Sequence, residues 1–153
     1  MNIFVFDEDP VLCAQYHPDK LLVKMVLETA QLLCTVQHLR GEASPPYKKT
    51  HSAHPAVLWT CESIANYRWL VELGLALAVE YTYRYGRRHK SQDVIEWCRD
   101  HEPDLPSGPR TPFALMMPDQ YKTDSAEESY RRYFREDKAH LASWTSREDP
   151  HWF

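Results

Sequence analysis

The sequence predicts a mostly α-helical protein built as one compact domain over residues 1–153, and three observations predict it. Apolar residues recur at steps of three and four through two long stretches, 18–39 and 56–86. Strand-like composition is confined to the five residues NIFVF at 2–6. A chain of 153 residues is long enough to bury one sizeable core and too short for a second independent one.

Taken in order, NIFVF is a short β-like segment with no second strand to pair with, and DEDPVLCAQYH reads as a turn and a short helix. Pro18 opens the first long helix, whose apolar positions Leu22, Met25, Val26, Leu33, Val36 and Leu39 line one face before Gly41 stops it. The stretch GEASPPYKKTHSAHP (41–55) is a crossing loop. The second long helix fills 56–86, with an interruption near Thr60 where Thr60 or Ser63 is placed to cap a fresh start, and Gly86 ends it. SQDVIEWCRDH (91–101) is a short helix capped by Ser91, and residues 102–121 form a proline-rich strap with one brief turn at 113–116. A Ser-x-x-Glu capping box at Ser125–Glu128 starts a charged amphipathic helix expected to run to Trp144. The closing WTSREDPHWF is too aromatic for a free tail and is expected to dock on the core.

A net charge of -4 provides no global field of the kind that draws small basic domains to nucleic acid, so any anion site must be local. Cys13, Cys34, Cys61 and Cys98 form no Cys-x-x-Cys pair, and no apolar run approaches the roughly 18 residues that span a bilayer. With no leader sequence, the expectation is a reduced, soluble, cytoplasmic protein with no membrane association. No glycine-rich phosphate loop or dinucleotide fingerprint is present, so no cofactor is expected.

Chemistry concentrates in three places. On the first long helix Lys20, Lys24 and Glu28 stack at steps of four along one edge, with Gln15 and His17 just ahead. A solvated face with a Lys24–Glu28 pair competes with a wall that binds an anion. The loop YKKTHSAHP adds Lys48, Lys49, His51 and His54; His-x-x-His alone lacks the third ligand that zinc needs, so no metal is assigned, and imidazoles beside lysines suit phosphate binding or proton transfer. The central helix offers Glu62, Asn66, Tyr67 and Trp69 at its start and Glu80, Arg84 and Tyr85 at its end, where a simple Glu80–Arg84 pair competes with a site; an amide within an apolar helix needs partners.

NIFVFDEDPVLCAQYHPDKLLVKMVLE, YKKTHSAHP with NYRWL and EYTYRYG, and TPFALMMPDQYK with the closing REDPHWF together resemble a family of small tailed-bacteriophage proteins linked to DNA-base hypermodification. The resemblance covers nearly the whole chain and extends to predicted amino-acid:DNA transferases. It implies transfer of an amine or amino acid onto a phosphorylated 5-hydroxymethyluracil in DNA, with loss of pyrophosphate, in the cytoplasm of an infected host. His17, Glu28, His51 and His54 would then be catalytic. Gln15, Lys20, Lys24, Lys49, Asn66 and Arg84 would bind substrate or phosphate, and Trp59, Tyr67 or Trp69 would stack on the base. A looser resemblance, carried by AQYHPDKLLVKMVLE, is to small all-α pyrimidine-dimer DNA glycosylases, which attack with an N-terminal amine. A third reading is a non-catalytic phage protein that binds a host factor or a modification complex.

Overall fold

The computed structural model describes residues 1–153 and is entirely helical in its regular structure. Six α-helices run α1 (Pro10–Tyr16), α2 (Asp19–Arg40), α3 (Pro55–Cys61), α4 (Ile64–Tyr85), α5 (Gln92–Asp100) and α6 (Ala126–Asp137), with short 3-10 turns at Asp119–Tyr121 and Ala139–Leu141. The long helices α2 and α4 pack on each other; α1, α3 and α5 close around them.

Local chemistry explains most boundaries. Asp9 caps α1 by accepting from Val11 and Leu12 N–H, with Pro10 at the first helical position. Gly41 follows α2 in extended conformation with its N–H on Gln37 O, a position where a Cβ would run into the Gln37 side chain and lie 2.8 Å from that carbonyl oxygen. Of the two candidate caps for the restart, Ser63 takes the role, accepting from Asn66 N–H, while Thr60 donates its hydroxyl to Ala56 O. Gly86 follows α4 at φ 68, the left-handed conformation that glycine adopts without Cβ strain. Ser91, expected to cap α5, does not: its hydroxyl meets Tyr47 Oη at 2.9 Å.

Two boundaries differ from expectation, the turn of the proline-rich segment and the end of the last helix. Residues 2–6 pair with no strand, as expected of a lone β-like segment: Ile3, Phe4, Val5 and Phe6 form a buried extended strap. Phe6 stacks on Trp152 at 5.2 Å and its carbonyl accepts from Arg131. The turn in the proline-rich segment falls at Asp119–Tyr121, because 111–116 is held extended by Asn66 on Thr111 and by Tyr130 on Ala114 O and Met116 N–H. Helix α6 stops at Asp137, and the chain folds back so that Ser143 and Thr145 hydrogen-bond Asp19 and Trp144 donates to Tyr16 O. The C-terminal aromatics do pack on the core, around Phe134.

The tightest approach is at Gly74 of α4. A Cβ there would lie 2.9 Å from Thr29 Cγ2 of α2 and 3.1 Å from Ile95 Cδ1 of α5, so three helices meet where no side chain fits.

Candidate functional site

The structure divides the sequence-predicted residues between the interior and one surface. His17 is buried, with Nδ1 2.7 Å from Cys13 O, and burial lowers its pKa to about 4. Arg84 has no exposed side chain; its guanidinium binds Glu80 (2.9 Å), Asp19 (3.0 Å), His17 O (2.8 Å) and Gln15 O (3.0 Å). Arg147 adds a bidentate contact to Glu80. Burial of the Glu80 carboxyl is outweighed by these hydrogen bonds, which hold it below the usual carboxylate range. This network ties α1, α2, α4 and the C-terminal segment together, and with four of its five N–H groups engaged and no exposed side chain Arg84 is not presented to a phosphate. Gln15 takes part through its backbone; its side chain is half-buried beside a separate cleft of about 420 Å³.

Asn66 is likewise structural. Its amide donates to Trp59 O and Thr111 Oγ1, both at 2.7 Å, and accepts from Thr111 N–H, which satisfies an amide that an apolar helix could not tolerate alone. The three residues assigned to base stacking are core residues. Trp59 and Trp69 stand edge to face with Phe113 between them and donate to Pro112 O and Glu8 O; Tyr67 is fully buried and donates to Cys98 O. Their aromatic area is spent on packing, so a stacking role is withdrawn for all three.

Glu28, His51, His54 and Lys24 come together at the surface. Glu28 is set midway along the outer edge of α2, 13% exposed, with Oε1 3.1 Å from the Met1 amino group and Oε2 3.8 Å from Lys24 Nζ. The 41–55 loop runs back along α2, pinned where His38 meets Tyr47 O and Thr35 bonds both the N–H and the carbonyl of Thr50. That anchoring delivers His51 and His54 to the Glu28 side. His54 is the N-cap of α3: its Nδ1 accepts from Ala56 N–H at 3.1 Å, so in the neutral ring Nε2 carries the proton. Partial burial lowers its pKa, helped by the charges of the Met1 amino group and His51 and opposed by that of Glu28. His51 is exposed, with Nδ1 2.7 Å from Thr50 Oγ1, and adopts φ 50. A left-handed backbone at a non-glycine residue costs about 1 kcal/mol and is held by the surrounding contacts.

Lys20 and Lys49 are exposed and make no ion pair, Lys20 on the same edge of α2 and Lys49 on the neighbouring loop. The Met1 amino group is the member the sequence reading passed over, because periodicity and spacing say nothing of where an extended N-terminal strap ends. No three histidine, cysteine or acidic side chains converge in a way that would hold a metal ion.

The cluster is an open surface and not a deep pocket. A cleft of about 530 Å³ lies elsewhere, between Gln37 at the end of α2 and the 101–105 segment. The cleft is acidic in its lining, with Glu42, Glu102 and Asp104, and the surface cluster carries the better set of reactive groups. No helix is long and apolar enough to cross a membrane. No family model, curated protein or solved structure matches the chain.

Proposed function

We propose that this protein is an enzyme acting on a pyrimidine base in DNA, transferring an amine or amino acid onto an activated 5-hydroxymethyluracil with loss of pyrophosphate. The observation that carries this reading is Glu28: a carboxylate sunk in the surface, holding an amino group at 3.1 Å, with Lys24 at 3.8 Å and a charge that is felt by His54. The resemblance of the sequence supplies the substrate class.

Glu28 holds the donor's ammonium in the place Met1 now occupies. With Nδ1 engaged by Thr50 Oγ1 at 2.7 Å, the Nδ1–H tautomer of His51 has an open Nε2 lone pair to take the proton that the ammonium must lose before its nitrogen can attack. The amine forms a C–N bond to the exocyclic methylene of the base as the C–O bond to pyrophosphate breaks. Lys24, 3.8 Å from Glu28, offsets the charge on the departing oxygens, and the Nε2–H of neutral His54 donates to the same group.

Incubation with an oligonucleotide carrying the pyrophosphorylated base and a mixture of amines, followed by nucleoside mass spectrometry, tests this. Gain of an amine mass and release of pyrophosphate are expected; an unaltered base with every amine supplied refutes it.

One observation favours a second reading. An amino group against a partly buried carboxylate is also the arrangement that forms a Schiff base at a sugar C1′ as the glycosidic bond breaks. Borohydride trapping on dimer-containing or abasic DNA separates the two, since only this chemistry leaves a covalent adduct at Met1.

A further inference from the structure

Of the 18 lysines and arginines, twelve form an ion pair within 4 Å. The six that form none are Lys20, Arg40, Lys48, Lys49, Arg87 and Lys90. Arg40 is the last residue of α2. The other five, all exposed, lie on three segments that hydrogen bonds join into one face. His89 Nε2 reaches Val23 O of α2 at 3.2 Å, which sets the 86–90 turn beside Lys20 and Lys24. Tyr47 Oη meets Ser91 Oγ at 2.9 Å, which sets the lysine loop beside the same turn. His38 on Tyr47 O and Thr35 on Thr50 O hold that loop along α2. Arg87 is oriented by Tyr81, whose hydroxyl accepts from Nε at 2.9 Å, and not by a carboxylate.

In a chain of net charge -4, cations left without counter-charges would scatter if they only solubilised the surface. Here they are gathered, and they do not converge on a point as a free phosphate would require. From Lys20 to Thr35, where the loop is pinned, α2 rises about 22 Å at 1.5 Å per residue. That length matches about six steps of a nucleic-acid strand at 3.4 Å each. Glu28 lies between the two ends.

We infer that this face is a track for a phosphodiester backbone, with Lys20, Lys48, Lys49, Arg87 and Lys90 contacting successive phosphates on either side of the Glu28 cluster. The inference rests on the proposed function only in placing the reacting base at that cluster. Arg87 and Lys90 belong to no part of the reaction, so they report the track alone.

The test is fluorescence anisotropy with unmodified single-stranded DNA, duplex DNA and RNA oligonucleotides and with anionic phospholipid vesicles. Wild-type protein is compared with Arg87→Ala/Lys90→Ala and with Arg68→Ala/Arg99→Ala, which removes two cations already paired to Glu102 and Asp100. Circular dichroism verifies that each variant is folded. The inference expects at least one nucleic acid to bind with an affinity that falls as salt rises. Loss of Arg87 and Lys90 then makes the log–log salt slope shallower by about 1.8 for duplex or about 1.4 for a single strand. The Arg68/Arg99 variant keeps the wild-type slope. Which oligonucleotide responds identifies the strand form. No nucleic-acid binding, binding to vesicles alone, or an unchanged slope in the Arg87/Lys90 variant overturns the inference. Because these oligonucleotides carry no activated base, failure of the transferase reading leaves this result standing, and the reverse also holds.

Discussion

Acidification from pH 7.5 to 5 should destabilise this protein through His17 before its carboxylates protonate. The ring is fully buried with Nδ1 on Cys13 O, and burial lowers its pKa to about 4, against 6.5 for a free histidine. A base whose folded pKa lies below its unfolded value binds more protons when unfolded, so stability is complete above pH 6.5 and is lost as pH falls toward 4. Linkage over that interval gives a loss of about 2 kcal/mol by pH 5 and about 3 kcal/mol by pH 4. At a urea m-value of about 2 kcal/mol/M the midpoint should fall by about 1 M between pH 7.5 and 5. His54 and His89, whose pKa values are also lowered by burial, add loss of the same sign. Asp19 and Glu80, whose partial burial is outweighed by hydrogen bonds, contribute stability lost only below the usual carboxylate range. Urea titrations of wild type and His17→Gln at both pH values isolate the term. The glutamine variant should lose about 2 kcal/mol less than wild type over this interval. Equal losses would show that His17 is protonated in the fold and would refute the assignment.

Arg84→Met should cost about 3–5 kcal/mol, because it leaves Glu80, Asp19 and two carbonyls buried without their shared donor; a urea midpoint close to wild type would contradict a structural role. Gly74→Ala should cost about 1–3 kcal/mol by overpacking against Thr29 and Ile95, measured in the same titration; a neutral result would mean that α2 and α5 yield freely. His51→Asn should leave stability within about 0.5 kcal/mol, since asparagine tolerates φ 50, while abolishing transfer; full turnover in this variant would remove His51 as the base.

The helical architecture was legible because its signals are local. Ser63, Ser125, Gly41 and Gly86 act within a turn of where they stand, and the three-and-four spacing of α2 and α4 survives burial on nearly all sides. Signals that depend on distant partners were not legible. NIFVF has strand composition, yet its backbone lies against Cys13 and Arg131, 9 and 125 residues away from their acceptors. Lys24, Glu28, His51 and His54 were recognisable as reactive residue types, and the loop that joins them is held by Thr35, an unremarkable position on a helix face. His17, Asn66 and Arg84 show the converse error. A charged or polar side chain among apolar neighbours reads equally as a ligand or as a tie between segments, and only the partners at His17 O, Thr111 and Asp19 decide for the tie.

The most direct test of the central claim is nucleoside mass spectrometry after incubating an activated 5-hydroxymethyluracil oligonucleotide and amines with wild-type protein or with Glu28→Gln. The variant keeps the side chain's size and removes the charge that holds the amino group at 3.1 Å. Aminated base with wild type and a loss of a hundredfold or more in Glu28→Gln, with its urea midpoint preserved, is the predicted result. Amination at undiminished rate by folded Glu28→Gln, or none by wild type, would contradict it.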